Sequence, residues 1–179
     1  MEQRNLVLIG FMGTGKSTIG KKLARRLNWS FKDTDYEIEQ NEGKSIPEIF
    51  TAKGEIVFRE LETAALKQIL SASAQVVSTG GGCVLAEENR QLMLNNGFII
   101  ALSATADTIV SRVEDKADRP LLAGDPRERV TALLAKRQGL YDFAHLLIHT
   151  DDREPDEIVE QILREIGQGE ECEGGAERQ

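Results

Sequence analysis

Short apolar runs alternate with longer amphipathic stretches along the first 166 residues of the chain. Runs such as residues 6–9 (LVLI) and 98–102 (FIIAL) contain no polar residue, which is typical of strands covered on both faces in a parallel sheet. The stretches between them carry apolar residues at helical spacing. The alternation therefore predicts an α/β fold in which helices cover both sides of a parallel sheet.

This pattern predicts five strands and seven helices. The strands are residues 5–9, 30–32, 76–79, 98–102 and 146–149. The helices are residues 17–27, 45–52, 54–70, 87–96, 105–114, 127–143 and 155–166. A capping-box sequence at residues 45–48 (SIPE) and a proline in the first turn at residue 155 support two of the helix starts.

The end of the chain differs in composition from the rest. Residues 167–179 hold four glycines and four glutamates but no large apolar residue. Such a segment buries too little apolar surface to offset the entropy lost on ordering. We therefore predict a single folded domain over residues 1–166 and a disordered acidic tail over residues 167–179.

Composition and charge narrow the class of protein. Of 179 residues, 40% are hydrophobic and 29% charged, which is ordinary for a soluble domain. No apolar run is long enough for a membrane span or a signal peptide, so we expect a cytoplasmic protein. The net charge of −8 argues against nucleic acid as a partner. No long heptad pattern is present, and we expect a monomer.

A phosphate-binding loop follows the first predicted strand. Residues 10–17 (GFMGTGKS) match G-x-x-x-x-G-K-[ST] and lead into a predicted helix, which is the context that this motif requires. Backbone N–H groups and the helix N-terminus of such a loop bind phosphate oxygens, the lysine reaches the terminal phosphates, and the serine hydroxyl ligates Mg²⁺. The predicted ATP-binding residues here are Gly13, Thr14, Gly15, Lys16, Ser17 and Thr18.

Other motifs restrict the kind of P-loop protein. A GTPase switch needs [NT]-K-x-D after a strand, and the nearest string, residues 115–118 (DKAD), lacks the Asn or Thr and follows a helical pattern. Five further strings are DTD at 33–35, FRELE at 58–62, TGGG at 79–82, RPLL at 119–122 and RQGLY at 137–141. In order and spacing, these strings and the P-loop resemble the shikimate kinase family over residues 5–166.

The resemblance implies both a fold and a reaction. It implies a three-layer α/β/α P-loop NTPase fold of the nucleoside monophosphate kinase-like type, with a five-stranded parallel sheet in the order 2-3-1-4-5. It implies a substrate-binding insert near residues 33–62 and a lid near residues 112–125, both closing on binding. The implied reaction moves the γ-phosphoryl group of ATP to the 3-hydroxyl of shikimate, with Mg²⁺, in chorismate and aromatic amino acid biosynthesis.

The substrate side of the expected site needs cations for one carboxylate and acceptors for three hydroxyls. The resemblance implies that Arg59 and Arg137 contact the carboxylate, although spacing alone also suits surface arginines paired with nearby glutamates. Asp35 is expected to orient or deprotonate the attacking hydroxyl, and an N-cap of the following helix is its alternative role. Phe58 is implied to line the ring, or else it belongs to the core. The glycines implied to approach substrate, Gly80, Gly81 and Gly82, also suit a flexible turn.

The remaining expected residues serve the nucleotide and the metal ion. Asp33, at the end of a strand, is expected to join Ser17 in the Mg²⁺ shell. Arg119 of the lid is expected to neutralise charge on the transferring phosphoryl group. Arg112 and Arg153 are expected beside adenine, and a surface helix arginine is the alternative for Arg112.

Two other functions are compatible with part of these motifs. A related small-molecule kinase, such as a gluconate kinase, would also use Asp35, but Arg59, Arg137 and the triple glycine favour shikimate. A regulatory nucleotide-binding module without turnover would bind ATP and show no response to shikimate. The full set of substrate-type residues argues against such a module.

Overall fold

The computed structural model describes residues 4–113 and 125–173, with side chains as far as residue 167 in the last helix. Its strands are β1 Asn5–Gly10, β2 Ser30–Asp33, β3 Gln75–Ser78, β4 Gly97–Ser103 and β5 Leu146–His149. Its helices are α1 Lys16–Leu27, α2 Thr34–Glu42, α3 Ile46–Leu70, α4 Glu87–Asn96, α5 Ala106–Val113, α6 Pro126–Lys136 and α7 Pro155–Glu173. A short 3₁₀ turn at Cys83–Leu85 precedes α4.

All five strands pair in parallel, in the order β2-β3-β1-β4-β5, which confirms the predicted fold and strand order. The register pairs Leu8 of β1 with Ser78 of β3, and Ser78 in turn with Asp33 of β2. Because parallel strands share their direction, the segments that follow β1, β2 and β3 emerge together at one edge of the sheet.

Side chains of the central strand β1 alternate between two apolar layers. Leu6 and Leu8 belong to a cluster with residues of α1 and α7, whereas Val7 and Ile9 belong to a cluster with residues of α3 and α4. All four β1 side chains are at most 4% exposed. The sheet is therefore covered on both faces, as the unbroken apolar runs predict.

The segment between β2 and β3, which contains the region predicted as an insert, consists of α2 and α3. Two predicted helices, 45–52 and 54–70, are joined in α3, and the break between them is at Gly54, where φ is 79° and ψ is 173°. Only glycine adopts this backbone conformation readily. A separate small core, built around Ile38, Ile49 and Phe58, packs α2 against α3.

Two predicted helix ends are wrong. The helix predicted to reach residue 143 ends at Lys136, because the chain turns at Gly139, where φ is 82°. The last helix, predicted to end at residue 166, continues to Glu173, so the predicted disordered tail is corrected for residues 167–173. Three glutamates in this stretch are good helix formers, and each glycine costs only about 1 kcal/mol relative to alanine.

Residues 114–124 hold most of the predicted lid, including Arg119, and lie outside the described residues. Residues 174–179 of the predicted tail lie outside them as well. Within the described ranges, no helix combines the length and the apolar character that crossing a bilayer requires.

Candidate active site

The P-loop connects β1 to α1 at the edge of the sheet where the strands end. Gly13 and Gly15 have φ of 76° and 92°, which explains why glycine stands at both positions. The ammonium group of Lys16 donates hydrogen bonds to the carbonyl oxygens of Gly10 and Phe11, both at 2.9 Å. Lys16 is 8% exposed, so its charge is held inside the loop before any phosphate arrives.

Neighbouring residues of the loop have separate roles. The buried Thr14 hydroxyl donates to the Phe11 carbonyl oxygen at 2.8 Å and so braces the turn. Thr18 lies exposed in the first turn of α1, where backbone N–H groups have no partner within the helix. These features give the loop the geometry of an anion-binding helix N-terminus.

Three oxygen-bearing side chains meet beside the loop. The Ser17 hydroxyl donates to Oδ2 of Asp33 at 2.8 Å and lies 3.3 Å from the hydroxyl of Ser78. Hard oxygen donors of this kind suit Mg²⁺, which takes few protein ligands and keeps water and phosphate oxygens in its shell. Among the described residues, no group of three His, Cys, Asp or Glu side chains is arranged to hold a metal ion.

The two aspartates of the DTD string have different structural roles. Asp33 is the N-cap of α2, and its Oδ1 accepts hydrogen bonds from the backbone N–H groups of Asp35 and Tyr36. The alternative role weighed for Asp35, a helix cap, is therefore taken by Asp33. Asp35 lies within the first turn of α2, and its carboxylate does not cap the helix.

The Asp35 carboxylate is buried among charges of its own sign. Its Oδ1 is inaccessible to solvent and has no hydrogen-bond partner among the described residues. Burial raises the pKa of Asp35 from its ordinary 3.8 to about 6; the negative charges of Asp33 and Glu62 add to the rise, and Lys16 opposes it. A carboxyl group with this pKa is mostly ionised at neutral pH and is a stronger base than an exposed aspartate.

Arg59 is held in place by two glutamates on its own helix, α3. Its Nη1 donates to Glu62 at 2.7 Å, and its Nη2 donates to Glu55 at 3.2 Å. Glu62 is only 1% exposed, and burial raises its pKa while the Arg59 charge opposes that rise. A buried carboxylate of this kind depends on its cation, so the pair fixes the guanidinium.

Phe58 is 4% exposed and packs in the small core between α2 and α3. Its ring lies 4.4 Å from the ring of Phe50 and 5.3 Å from the Arg59 guanidinium, centre to centre. The core role weighed for Phe58 is therefore present in the structure. Its predicted contact with a substrate ring stays a prediction.

Arg137 lies at the C-terminal cap of α6, because that helix ends one residue earlier. Its Nη1 donates to the Gly81 carbonyl oxygen at 2.7 Å, and its guanidinium carbon lies 5.0 Å above the centre of the Phe11 ring. Burial raises the pKa of the Tyr141 hydroxyl, and the charge of Arg137 together with a weak hydrogen bond from that side chain opposes the rise. This hydroxyl is buried, and no group among the described residues meets it in full hydrogen-bond geometry.

The glycine segment, residues 80–82, is where the predicted substrate residues meet. A Cβ atom added to Gly80 would lie 2.5 Å from Oδ1 of Asp35 and 2.8 Å from Oε1 of Glu62. A Cβ atom added to Gly82 would overlap the guanidinium of Arg59. Side chains at these positions would therefore displace the carboxylate and the cation that flank the segment.

The middle residue of the glycine segment connects this group to the nucleotide loop. A Cβ atom added to Gly81 would lie 3.4 Å from the backbone nitrogen of Met12 and 3.7 Å from Nη1 of Arg137. The structure thus brings together residues of the P-loop, α2, α3, α6 and the loop after β3. The flexible-turn alternative for the glycines does not account for this convergence.

The two arginines expected near adenine have partners within the protein. Arg112 of α5 donates to the Gly13 carbonyl oxygen at 3.3 Å and to the hydroxyl and carbonyl oxygens of Thr150 at 3.0 and 2.7 Å. It therefore joins the P-loop to the loop after β5. Arg153 donates to the His149 carbonyl oxygen at 3.2 Å and to Gln161 of α7 at 2.7 Å. Both stay predicted nucleotide contacts.

Sequence reasoning missed three residues of this region. Glu62 was considered only as an ion-pair partner, whereas its burial makes it the anchor of Arg59. Ser78 and Thr34 were not singled out, although Thr34 lies between the two candidate aspartates and Ser78 lies two residues before the triple glycine. Their positions at the ends of two strands were the available signal.

Comparison with known proteins gives a consistent result. The family model described as shikimate kinase matches residues 12–167. A curated shikimate kinase of Pelotomaculum thermopropionicum is 46% identical over 161 residues, covering 89% of this chain and 94% of that protein. A shikimate kinase of Geobacter sulfurreducens is 45% identical over 160 residues, covering 89% of this chain and 88% of that protein.

Solved structures agree with the sequence relatives. Shikimate kinase from Acinetobacter baumannii in complex with shikimate has a TM-score of 0.89 and 35% identity, covering 93% of this chain and 94% of that chain. Shikimate kinase from Aquifex aeolicus has a TM-score of 0.82 and 36% identity, covering 92% and 97%. A gluconokinase from Sinorhizobium meliloti has a TM-score of 0.63 at 15% identity over 98% of each chain, and so shares the fold alone.

Proposed function

The chain belongs to the shikimate kinase family, and from this membership we propose that the region where the P-loop and the glycine segment meet is its catalytic site. The protein transfers the γ-phosphoryl group of ATP to the 3-hydroxyl of shikimate. The products are shikimate 3-phosphate and ADP, in chorismate and aromatic amino acid biosynthesis. The convergence of Asp35, Arg59 and Arg137 on the glycine segment, beside the P-loop, is the observation that supports this site.

Asp35 is the base that receives the proton of the attacking hydroxyl. With a pKa raised to about 6 it is mostly ionised at neutral pH, and its Oδ1 has no partner among the described residues. In phosphoryl transfer, positioning and charge stabilisation supply most of the catalysis, so an aspartate is a sufficient base. Lys16 provides the positive charge for the phosphate oxygens.

Arg59 and Arg137 bind the carboxylate of shikimate from two sides of the glycine segment. Each guanidinium has five N–H donors, and protein partners use only part of them. The bonds to Glu62 and to the Gly81 carbonyl oxygen orient the two cations before substrate binds. Less ordering entropy is then lost on binding.

Mg²⁺ would be held by Ser17 and Asp33, with Ser78 within reach of the same oxygen cluster. The ion supplies charge neutralisation for the phosphate oxygens. Asp33 also caps α2, so the residue that would face the metal is tied to the helix that carries Asp35.

The remaining parts of the proposal concern the nucleotide contacts, the domain organisation, the oligomeric state and the cellular location. Arg112 and Arg153 flank the adenine, and Arg119 belongs to a lid over the phosphates. Residues 33–62 form the substrate-binding insert of a single domain. One chain supplies Asp35, Arg59 and Arg137, which supports a monomer, and ATP as co-substrate supports a cytoplasmic location.

The test is ADP release with ATP and Mg²⁺, measured with shikimate, gluconate or a nucleoside monophosphate as acceptor. A rise specific to shikimate is expected. Arg137→Ala should raise the KM for shikimate at least tenfold and leave the KM for ATP within twofold, because its guanidinium lies at the glycine segment. Equal effects on both KM values would contradict its proposed role, and no shikimate-dependent rise in the wild type would contradict the proposed site.

A further inference from the structure

Thr34 stands between the two candidate aspartates and is completely buried, with 0% of its surface exposed. Its hydroxyl oxygen accepts a hydrogen bond of 2.8 Å from the backbone N–H of Gly80. None of the roles assigned above uses this residue. The bond joins the segment that carries Asp35 directly to the glycine segment.

The bond extends the pairing of two strands beyond their ends. Pairing between β2 and β3 stops at Asp33 and Ser78, because the chain turns into α2 after Asp33. The N–H of Gly80 then has no strand carbonyl opposite it, and the Thr34 hydroxyl takes that place. Thr34 is the first residue of α2, so its hydroxyl is fixed by the helix start.

The position of Gly80 matters because the Asp35 carboxylate is packed against it. A Cβ atom on Gly80 would lie only 2.5 Å from Oδ1 of Asp35. A shift of the glycine segment by a few tenths of an ångström therefore changes the space that this carboxylate occupies. The same segment contacts Arg59 through Gly82 and Arg137 through Gly81.

The bond also decides which backbone donors are open. Because the Gly80 N–H donates to the Thr34 hydroxyl oxygen, it is not free for a ligand. Within the described ranges, the N–H groups of Gly81 and Gly82 have no hydrogen-bond partner. Thr34 thus leaves two of the three amides for an oxygen of the substrate.

We propose that Thr34 is a positioning residue for the phosphoryl acceptor: its hydroxyl sets the distance between the Asp35 carboxylate and the glycine segment. This inference rests on the proposed function, since it assumes that the acceptor lies between these two groups. Thr34 touches no reacting atom. Its effect passes through Asp35 and Gly80.

The test compares Thr34→Val, which removes the hydroxyl and keeps the shape, with Thr34→Ser, which keeps the hydroxyl. Thr79→Val is the matched control, because Thr79 is 2% exposed and its hydroxyl donates to the Leu8 carbonyl oxygen of β1 at 3.2 Å. Thr34→Val should lower kcat/KM for shikimate at least tenfold and leave the KM for ATP within twofold. Thr34→Ser should restore kcat/KM to within about threefold of the wild type.

Two results would overturn the inference. One is an equal loss of kcat/KM for shikimate in Thr34→Val and Thr79→Val, and the other is a lack of rescue by serine. Hydrogen exchange gives a second test that uses only the wild-type protein, so it does not depend on whether a variant folds. The Gly80 amide should exchange at least tenfold more slowly than those of Gly81 and Gly82, and equal rates would refute the bond.

Failure of this inference is distinguishable from failure of the proposed function. Wild-type protein that phosphorylates shikimate, with Thr34→Val behaving as Thr79→Val, removes the role of Thr34 alone. Wild-type protein that binds ATP and does not phosphorylate shikimate removes both.

Discussion

Replacing Asp35 with asparagine should make the protein more stable and nearly inactive. The raised pKa means that the folded protein binds a proton at Asp35 more readily than the unfolded chain does, so the ionised carboxylate destabilises the fold. A rise from 3.8 to about 6 corresponds to a cost of about 3 kcal/mol at pH 8, at about 1.4 kcal/mol for each pKa unit. Asp35 is only partly buried as a whole residue. We therefore expect Asp35→Asn to raise the free energy of unfolding at pH 8 by about 1–3 kcal/mol.

The sign of the effect depends on pH. Between pH of about 4 and 6 the folded state holds a proton that the unfolded state has lost, so stability falls as pH rises through this window. The advantage of Asp35→Asn, whose amide does not titrate, should therefore decline from about 1–3 kcal/mol at pH 8 to about one third of that value at pH 4.5. Loss of the base should lower kcat by about 10² to 10⁴.

Urea unfolding of the wild type and Asp35→Asn at pH 8 and pH 4.5 measures both stabilities, and ADP release measures kcat. Asp142→Asn is the matched control, because Asp142 is exposed in the turn after α6. The free energy of unfolding of this control variant should differ from that of the wild type by less than about 0.5 kcal/mol. A variant no more stable than wild type at pH 8, or an advantage independent of pH, would show that burial of the Asp35 charge is not costly.

Two further predictions come from side chains around the guanidinium groups. Gly82→Ala should raise the KM for shikimate at least tenfold without changing the KM for ATP, because the added methyl would overlap Arg59; Gly167→Ala, with no atom within 4 Å of the added carbon, is the control. Unchanged steady-state kinetics for Gly82→Ala would refute this. Tyr141→Phe should leave the free energy of unfolding unchanged or raise it by up to about 1 kcal/mol, because the hydroxyl it removes is buried and meets no described group in full hydrogen-bond geometry. A loss above about 1 kcal/mol in urea unfolding would mean that Arg137 or water satisfies this hydroxyl.

Most of the fold was predictable because its signals are local. The apolar runs of β1 and β4 are long enough to show burial on both faces, and their predicted bounds differ from the structure by one residue at each end or less. The strand order came from the resemblance to a family. The end of α6 was missed although Gly139 was visible, because the pattern of apolar residues continues through the turn into the core packing of Tyr141 and Phe143.

The site was predictable in its residue types but not in its internal connections. DTD does not show which aspartate caps the helix, because both are good caps, and only the backbone places Asp33 at that position. The anchoring of Arg59 by Glu62 depends on the burial of Glu62, which no spacing reveals. The bond from Gly80 to Thr34 joins residues 46 positions apart and follows from the strand register.

The charged residues of the site are coupled, so replacing one of them would change more than a single contact. Glu62 is nearly inaccessible to solvent, and Arg59 opposes the cost of burying its charge. If Arg59 were removed, Glu62 would lose the main cation that lowers its pKa, and this buried carboxyl group would be protonated over more of the neutral range. The Glu62 charge is one of the causes that raise the pKa of Asp35, so that pKa would fall and Asp35 would be a weaker base. An Arg59 variant would therefore lose carboxylate binding and also change proton acceptance at Asp35, although the arginine takes part directly in only the first.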